Sequence, residues 1–176
     1  MASVLSHPAV PLAIAVAAGS GSVPGRLAAA ACVASVLPDL DSLGFGLGIP
    51  YDSPLGHRGF THSLFFALLI GLACAALAGY LRAPAGIVFA VVFSSTASHG
   101  LLDALTTGGM GVAFFSPFSN ARYFLPWRMI RVSPIGIAPF FSSWGVAVLK
   151  SELVWIWAPC AAIAGLGAGI RRVLLG

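Results

Sequence analysis

The histidine and aspartate residues of this sequence lie in a few short motifs, which carry the groups best suited to chemistry. His99 and Asp103 are four residues apart in the motif Ser98-His99-Gly100-Leu101-Leu102-Asp103. On a helix this spacing places both side chains on one face, with Cβ atoms about 5–6 Å apart. The motif lies in a long apolar run, where ionisable residues usually face a cavity, a partner or an ion. The spacing therefore indicates a pair that could chelate a metal.

Three more histidines and two more aspartates occupy comparable motifs. Asp39 and Asp41 follow Pro38, His57 and His62 flank the sequence Arg-Gly-Phe-Thr, and one histidine stands early in the chain. Mixed imidazole and carboxylate ligands suit zinc, manganese or iron, and zinc is the commonest of these in hydrolysis. We predict that all these groups converge on one metal site, with the ligands His7, Asp39, Asp41, His57, His62, His99 and Asp103.

The roles within this set stay open at this point. Asp39 and Asp41 are two residues apart, so on an extended segment their side chains point in opposite directions. One would bind the metal, while the other would orient a histidine or act as the catalytic base. The simpler alternative is a turn that ends a helix, with the carboxylates bonded to free amides. For His99 and Asp103 the alternative is a hydrogen-bonded pair that stabilises a helix bundle.

Four arginines are candidates for binding an anionic substrate, because guanidinium groups bind phosphate through paired hydrogen bonds. Arg58 lies between the two histidines of its motif, and the others lie among aromatic residues and prolines. The alternative is that these side chains anchor the chain at the membrane–water interface. The candidate substrate-binding residues are Arg58, Arg122, Arg128 and Arg131.

The composition is that of an integral membrane protein. Of the 176 residues, 59% are hydrophobic and only 8% are charged, whereas soluble domains carry about 25% charged residues. The length allows four or five crossings of about 20 residues each. We predict an all-α membrane protein, a bundle of four to five transmembrane helices forming one domain over residues 1–176. The net charge of +4 includes no basic run, which argues against a nucleic-acid partner.

Apolar runs bounded by proline and glycine set the predicted elements. Residues 106–150 contain no apolar run long enough to cross a membrane. They mix aromatic residues, arginines and prolines, a composition typical of the membrane interface. We interpret them as an interfacial lid or platform between the last two helices. If the helices alternate across the membrane, every candidate ligand falls on one face. The predicted helices cover residues 8–19, 24–37, 61–81, 84–105 and 152–170, with a kink at Pro159.

The motifs resemble those of the YdjM-type metal-dependent hydrolases of the bacterial inner membrane. The resemblance rests on the motifs at residues 38–41, 57–63, 98–109 and 116–120 and runs from about residue 6 to residue 136. It implies a multi-pass, zinc-dependent hydrolase of the bacterial inner membrane.

A remoter similarity is to the helical zinc-dependent phospholipase C superfamily, in the order His, Asp, His and then His-x-x-x-Asp. It implies hydrolysis of a phosphoester. No clear further His and Glu follow Asp103 to complete a three-metal cluster, so one or two zinc ions are expected.

Together these observations predict a metal-activated water that attacks a phosphoester of a membrane lipid or lipid-linked substrate. Asp39 or Asp41 would be the base, and the arginine-rich segment would bind the head group. One alternative is a metal-ion or proton transporter, which would spread the same residues through the membrane depth. Another is a closed, four-coordinate structural metal site.

Overall fold

Apolar helices make up most of the molecule. The computed structural model describes residues 1–175, and this part of the chain forms no β-strand, only two isolated bridges that join Thr106 to Ile130 and Val112 to Tyr123. The all-α prediction is therefore confirmed. The α-helices are α1 (Ala9–Ala18), α2 (Gly25–Val36), α3 (Leu64–Ala75), α4 (Ala78–Leu81), α5 (Ala85–Ala104), α6 (Ile137–Phe140), α7 (Ser143–Glu152) and α8 (Ala158–Leu175).

Within residues 1–175, three helical stretches are long and apolar enough to cross a membrane: Gly25–Leu47, Ala85–Ala104 and Ser143–Leu174. The helices Ala9–Ala18 and Leu64–Ala75 are also apolar but have only 10 and 12 residues. A perpendicular crossing needs about 20 residues. A helical membrane protein is thus supported, while four to five spans stay a prediction.

Helix α5 is the centre of the bundle. Helices α2 and α3 pack against it, and α1 packs along α8. Leu27 and Ala31 of α2 meet Val88 and Val92 of α5 in a fully buried apolar cluster. Small residues such as Ala31 are common where membrane helices pack together. This packing fixes the end of α5 that carries His99 and Asp103.

A change of helix type positions the two aspartates near Pro38. Helix α2 ends at Val36 and continues as a 3-10 helix over Leu37–Leu47. Pro38 has no N–H to donate to the carbonyl four residues earlier, and its ring crowds that carbonyl. Asp39 and Asp41 therefore lie on a tight helical turn and not on the expected extended segment. With three residues per turn they point about 120° apart, so they still face different partners.

The last helix is longer than the sequence predicts. It begins at Ser143, where the Ser142 hydroxyl accepts a hydrogen bond from the Gly145 N–H at 3.3 Å, as an N-cap does. The segment that we predict to be interfacial therefore ends at residue 142 and not at 150. Near the predicted kink, Leu153–Trp157 forms a wider π-helical turn, because Pro159 cannot donate to the Trp155 carbonyl.

The predicted helix over residues 61–81 is interrupted twice. A short 3-10 turn covers Phe60–His62, and α3 then begins after Ser63, whose hydroxyl accepts from the Phe66 N–H at 3.0 Å. A second break separates α3 from α4. The first break turns His62 away from the axis of α3 and towards α5.

Candidate metal centre

The seven predicted ligand residues lie together beside the last turns of α5. His7 precedes α1, the two aspartates lie on the 3-10 helix after α2, and His57 comes from the following loop. Every one of the seven side chains is at most 8% exposed. The structure therefore brings together four stretches of chain that are far apart in sequence.

Asp39 lies within reach of three histidines. Its Oδ1 atom is 3.4 Å from His99 Nε2 and 3.8 Å from His62 Nε2. Its Oδ2 atom is 3.8 Å from His7 Nε2. Donors that surround one tetrahedral zinc at about 2.1 Å are themselves about 3.4 Å apart. These separations are too long for good hydrogen bonds but suit atoms that share an ion.

Asp103 lies near two of these three histidines. Its Oδ2 atom is 3.6 Å from His62 Nε2, and its Oδ1 atom is 3.9 Å from His7 Nε2. Two groups of possible ligands each have all their donor atoms within 4.8 Å: Asp39, His57, His62 and Asp103 in one, and His7, His99 and Asp103 in the other. Because Asp103 belongs to both, the cluster could hold one ion or two neighbouring ions.

Several buried polar atoms in the cluster have no hydrogen-bond partner. They are both ring nitrogens of His7, both carboxylate oxygens of Asp39 and Nε2 of His57. An unsatisfied buried polar group costs about 1–3 kcal/mol, and more if it is charged. A bound cation would satisfy one ring nitrogen of His7, the Asp39 oxygens and His57 Nε2, so the residues present fit a metal ion.

The tautomers of two histidines point to the same conclusion. His99 Nδ1 donates to the Ser35 carbonyl at 2.7 Å, since a carbonyl can only accept. His62 Nδ1 lies 3.1 Å from Asp41 Oδ2. In their neutral forms both rings would then present an Nε2 lone pair, yet these two atoms are only 3.0 Å apart. Two lone pairs at this distance repel unless a proton or a metal ion lies beside them.

Asp41 is fully engaged by hydrogen bonds around the cluster. Its Oδ1 accepts from His57 Nδ1 at 2.6 Å, and its Oδ2 accepts from the Thr61 hydroxyl at 2.6 Å and the Arg58 N–H at 3.2 Å. The Nδ1 atom of His62 also lies close to Asp41. Asp41 therefore contacts the Nδ1 atoms of two histidines, on the side of each ring away from Asp39 and Asp103. Asp39 and Asp41 thus have different surroundings despite their closeness in sequence.

Arg58 is an internal residue and not the expected substrate contact. It is fully buried, and its Nε donates to Asp103 Oδ2 at 2.9 Å. Its two terminal nitrogens donate to the Gly108 carbonyl and to the Thr106 hydroxyl, each at 2.9 Å. Its φ of 64° is unusual for a bulky side chain and turns the guanidinium inward.

The charges of the cluster leave room for a cation. The three carboxylates are opposed by the guanidinium of Arg58 and, in the ion-free cluster, by a proton on His62, so two negative charges would be uncompensated among these side chains once that proton leaves. Uncompensated buried charge is strongly unfavourable. A divalent ion would balance it.

The histidines outside the spanning helices respond to burial and to these carboxylates. Burial, reinforced by nearby His99, lowers the pKa of His7 to about 3. Burial also lowers the pKa of His57, although Asp41 opposes the shift. Burial would lower the pKa of His62 too, but contacts with the three aspartates outweigh it and raise the pKa to about 10. His7 and His57 are therefore held in the neutral form that binds metals, and in the ion-free cluster His62 carries the proton.

The other predicted arginines lie outside the cluster. Arg122 donates to the carbonyls of His57, Tyr51 and Ser53 at 2.8–3.1 Å and so holds the loop that carries His57. Arg128 stacks over Phe124 and Arg131 over Trp144, and both arginines are exposed. Substrate contact by these two exposed arginines stays a prediction.

Two supporting residues were not singled out from the sequence. Gly100 faces the His62 carbonyl, from which a Cβ atom would be 2.8 Å away. Glu152 is fully buried and accepts from the Ser3 N–H, from the Ser3 hydroxyl at 2.6 Å and from the Ser6 hydroxyl at 2.8 Å. It fastens the segment that carries His7. An acidic residue in an apolar helix is the signal that could have revealed it.

The fold and the cluster define an integral membrane protein with buried histidines and aspartates that could hold a metal ion. The chain belongs to the YdjM inner membrane protein family, whose sequence model matches residues 1–173. It is 40% identical over 168 residues to the inner membrane protein YbcI of Escherichia coli (strain K12), covering 94% of this chain and 96% of that protein. No solved structure matches the chain. The predicted family and inner-membrane localisation are confirmed.

Proposed function

We propose that this protein is a membrane-embedded metal-dependent hydrolase that cleaves a phosphoester of a lipid or lipid-linked substrate. The observation that carries the proposal is a set of buried donor atoms without partners, next to a cavity that reaches Asp39. A catalytic metal site keeps an open position for water or substrate, whereas a structural site is closed. The contact between the cavity and Asp39 supports the open kind.

In this proposal His7, Asp39, His57, His62, His99 and Asp103 hold one or two zinc ions, or manganese or iron. The metal supplies a Lewis acid that lowers the pKa of water and offsets charge on the phosphoryl oxygens. Asp41 accepts from His57 and contacts Nδ1 of His62. It thereby fixes both rings with Nε2 towards the centre, as carboxylates beside metal-binding histidines do. Asp41 is a positioning residue in this scheme.

Asp39 is the carboxylate best placed to take a proton from the attacking water. Both of its oxygens are free of hydrogen bonds, and it lines the adjoining cavity. Both oxygens of Asp103, by contrast, accept strong bonds, from the Ala2 N–H at 2.6 Å and from Arg58 at 2.9 Å. A general base must lie within hydrogen-bond reach of the proton it removes. If one oxygen of Asp39 binds the ion, the other can accept this proton, and Asp39 is the carboxylate of the cluster that also lines the cavity.

The exposed arginines complete the scheme. Arg128 and Arg131 lie on the segment between α5 and α7 that we predict to lie at the membrane interface, where guanidinium groups attract anionic head groups. They would raise the local concentration of a phospholipid substrate. Arg58 instead keeps Asp103 charged and in place.

The compactness of the cluster argues for hydrolysis over transport. A translocation path needs polar groups distributed through the depth of the membrane. Here the His–His and His–Asp contacts are all within 3.9 Å. The alternative of a metal-ion or proton transporter makes a different prediction, namely metal or proton flux into sealed vesicles that contain the protein.

The test is metal content together with hydrolysis. We expect the protein purified in detergent without chelators to hold one or two equivalents of zinc, manganese or iron by elemental analysis. We also expect it to release phosphate from phosphatidic acid. Asp39→Asn should abolish release, whereas Asp52→Asn, the same change at an exposed position, should not. Bound metal without hydrolysis of any phosphoester, but with flux in vesicles, would support the transporter instead.

A further inference from the structure

An apolar groove leads to the metal centre from the side of the helix bundle. The cavity has a volume of about 510 Å³, which falls in the range of about 300–1,000 Å³ that is typical of small-molecule sites. Its walls come from the segment before α1, from α2 and its 3-10 extension, and from the chain around α6. The apolar residues that line it include Leu5, Val33, Leu40, Pro134, Phe140 and Phe141.

The walls of this groove are suited to hydrocarbon. Among the described residues that line it, Asp39 is the only ionisable side chain, and three serines are the other polar ones. A sugar, a peptide or a nucleotide would leave many of its polar groups without partners along such walls, at a cost for each. A hydrocarbon chain would lose nothing there and would gain contact area.

The groove and the metal centre share Asp39. Along α2, Val33 lies two turns before Asp39, a distance of roughly 10 Å from the rises of the two helix types. A hydrocarbon chain lying along this wall therefore places the head of its lipid beside Asp39, whose carboxylate oxygens are buried on the side of the histidines. The geometry joins an apolar site to a polar one in a single continuous surface.

The mouth of the groove opens on a lipid-facing surface. Val33, Leu40 and Phe141 are 63%, 57% and 82% exposed. Val33 and Leu40 belong to Gly25–Leu47, a stretch able to span the membrane. In an inner membrane protein, such side chains are surrounded by acyl chains, so a lipid could enter sideways without leaving the bilayer.

We propose that this groove holds one acyl chain of a membrane glycerophospholipid, with the phosphoester of that lipid at Asp39. The inference rests on the proposed function for the chemistry at Asp39, but it concerns a separate part of the site. It makes Val33 and Leu40 determinants of chain specificity. It also distinguishes the substrate from a water-soluble phosphoester.

Photo-crosslinking tests the groove independently of catalysis. The probe is phosphatidic acid with a diazirine in the middle of one acyl chain, added to the protein in lipid nanodiscs. We expect adducts on peptides that contain Val33–Leu40 and Pro134–Phe141. Val33→Trp should reduce these adducts about tenfold, equivalent to excluding roughly two methylene groups. Leu166→Trp, at an exposed apolar position on α8, should leave them unchanged.

Metal content serves as the check on folding, since Val33 is exposed and outside the cluster. If Val33→Trp loses its metal, Leu40→Trp replaces it. Adducts spread evenly over the apolar surface, or unchanged in the variant that retains metal, would overturn the proposal. So would a crosslinked dimer through this face with no lipid adduct, because a second copy would then fill the groove.

The experiments can test lipid binding in the groove separately from hydrolysis. If the acyl chain binds in the groove and the protein is a hydrolase, Val33→Trp slows the turnover of phosphatidic acid more than the turnover of a soluble aryl phosphoester. The ratio of the two rates then falls. Groove adducts without any turnover would contradict the hydrolase but keep the lipid site. Turnover of both substrates with an unchanged ratio would keep the hydrolase and contradict the groove.

Discussion

At the scale of single residues, the two carboxylates of one short motif have divided roles. The two oxygens of Asp39 accept no hydrogen bond and face three histidines, whereas both oxygens of Asp41 accept hydrogen bonds from neighbouring side chains. The sequence predicted that they would face different partners, but it left open which was which. Only the position of Thr61 and of the His57 ring decides this, and both depend on a loop whose path is set by tertiary contacts.

Asp41→Asn should weaken metal binding without preventing it. An asparagine that keeps its amide oxygen towards His57 presents an NH₂ group to His62 and Thr61, so the orientation of one ring is lost. Changes of this kind typically cost about 10–100-fold in metal affinity. Competition with a chelator of known affinity measures the effect, with Asp52→Asn as the control. An unchanged affinity would show that Asp41 does not position the rings.

Arg58→Gln should destabilise the whole protein. Removing one partner of a buried ion pair leaves the other charge uncompensated and costs about 3–5 kcal/mol. Unfolding in detergent, followed by circular dichroism, should show the loss as a lower midpoint. Arg128→Gln removes an exposed guanidinium and should change the midpoint little. If both variants unfolded alike, Asp103 would not depend on Arg58.

At the scale of elements, local rules predicted helices well wherever proline bounded an apolar run. The helices Ala9–Ala18, Gly25–Val36 and Ala85–Ala104 agree with their predictions to within about a residue at each end. The rules failed at the last helix, because a serine cap ten residues before the predicted start was overlooked. They failed again near residue 76, where no proline marks the break.

Helix α5 can approach the His62 turn only because residue 100 is a glycine. In Gly100→Ala the added methyl group would lie 2.8 Å from the His62 carbonyl, a backbone atom that cannot rotate away. We expect His62 to shift and the bound metal per protein to fall by at least about half, with a loss of stability typical of overpacking, about 1–3 kcal/mol. Elemental analysis measures the first effect.

Gly86→Ala is the matched control, since it lies on the same helix with open space around it. This variant should keep its metal and be slightly more stable, because alanine favours the helix by about 1 kcal/mol. Equal metal content in the two variants would mean that the contact between α5 and the His62 turn is not needed for the site.

At the scale of the whole molecule, the convergence of the ligands was predictable and their geometry was not. Alternation of helices across a membrane sorts the end of each helix to one side or the other, which is sufficient to gather His7, Asp39, His62 and His99. The spacing of residues in the sequence does not predict the histidine tautomers, the burial of Arg58 or the groove. Those features depend on how helices from distant parts of the chain pack.

Removal of the metal should lower the thermal stability of the protein as a whole. A ligand present at about one hundred times its dissociation constant stabilises the folded state by about 2.7 kcal/mol. Addition of excess chelator should therefore lower the melting temperature of the native protein in detergent, and addition of zinc should restore it. Asp39→Asn should melt at a temperature that no longer depends on the chelator. A native protein that is indifferent to the chelator would argue against a bound ion.

The way Glu152 fastens the first residues of the chain has a consequence for biogenesis. Ser3 and Ser6 reach their carboxylate partner only after the ribosome has synthesised α7, long after His7 has left the exit tunnel. The other ligands are complete once Asp103 has been inserted. The position of His7 is therefore fixed last, so a metal ion that His7 helps to hold would be enclosed only after almost the entire polypeptide is in the bilayer. Binding of such an ion would then be a late maturation step, and a truncated chain that lacks α7 would leave the insertion machinery with an incomplete cluster.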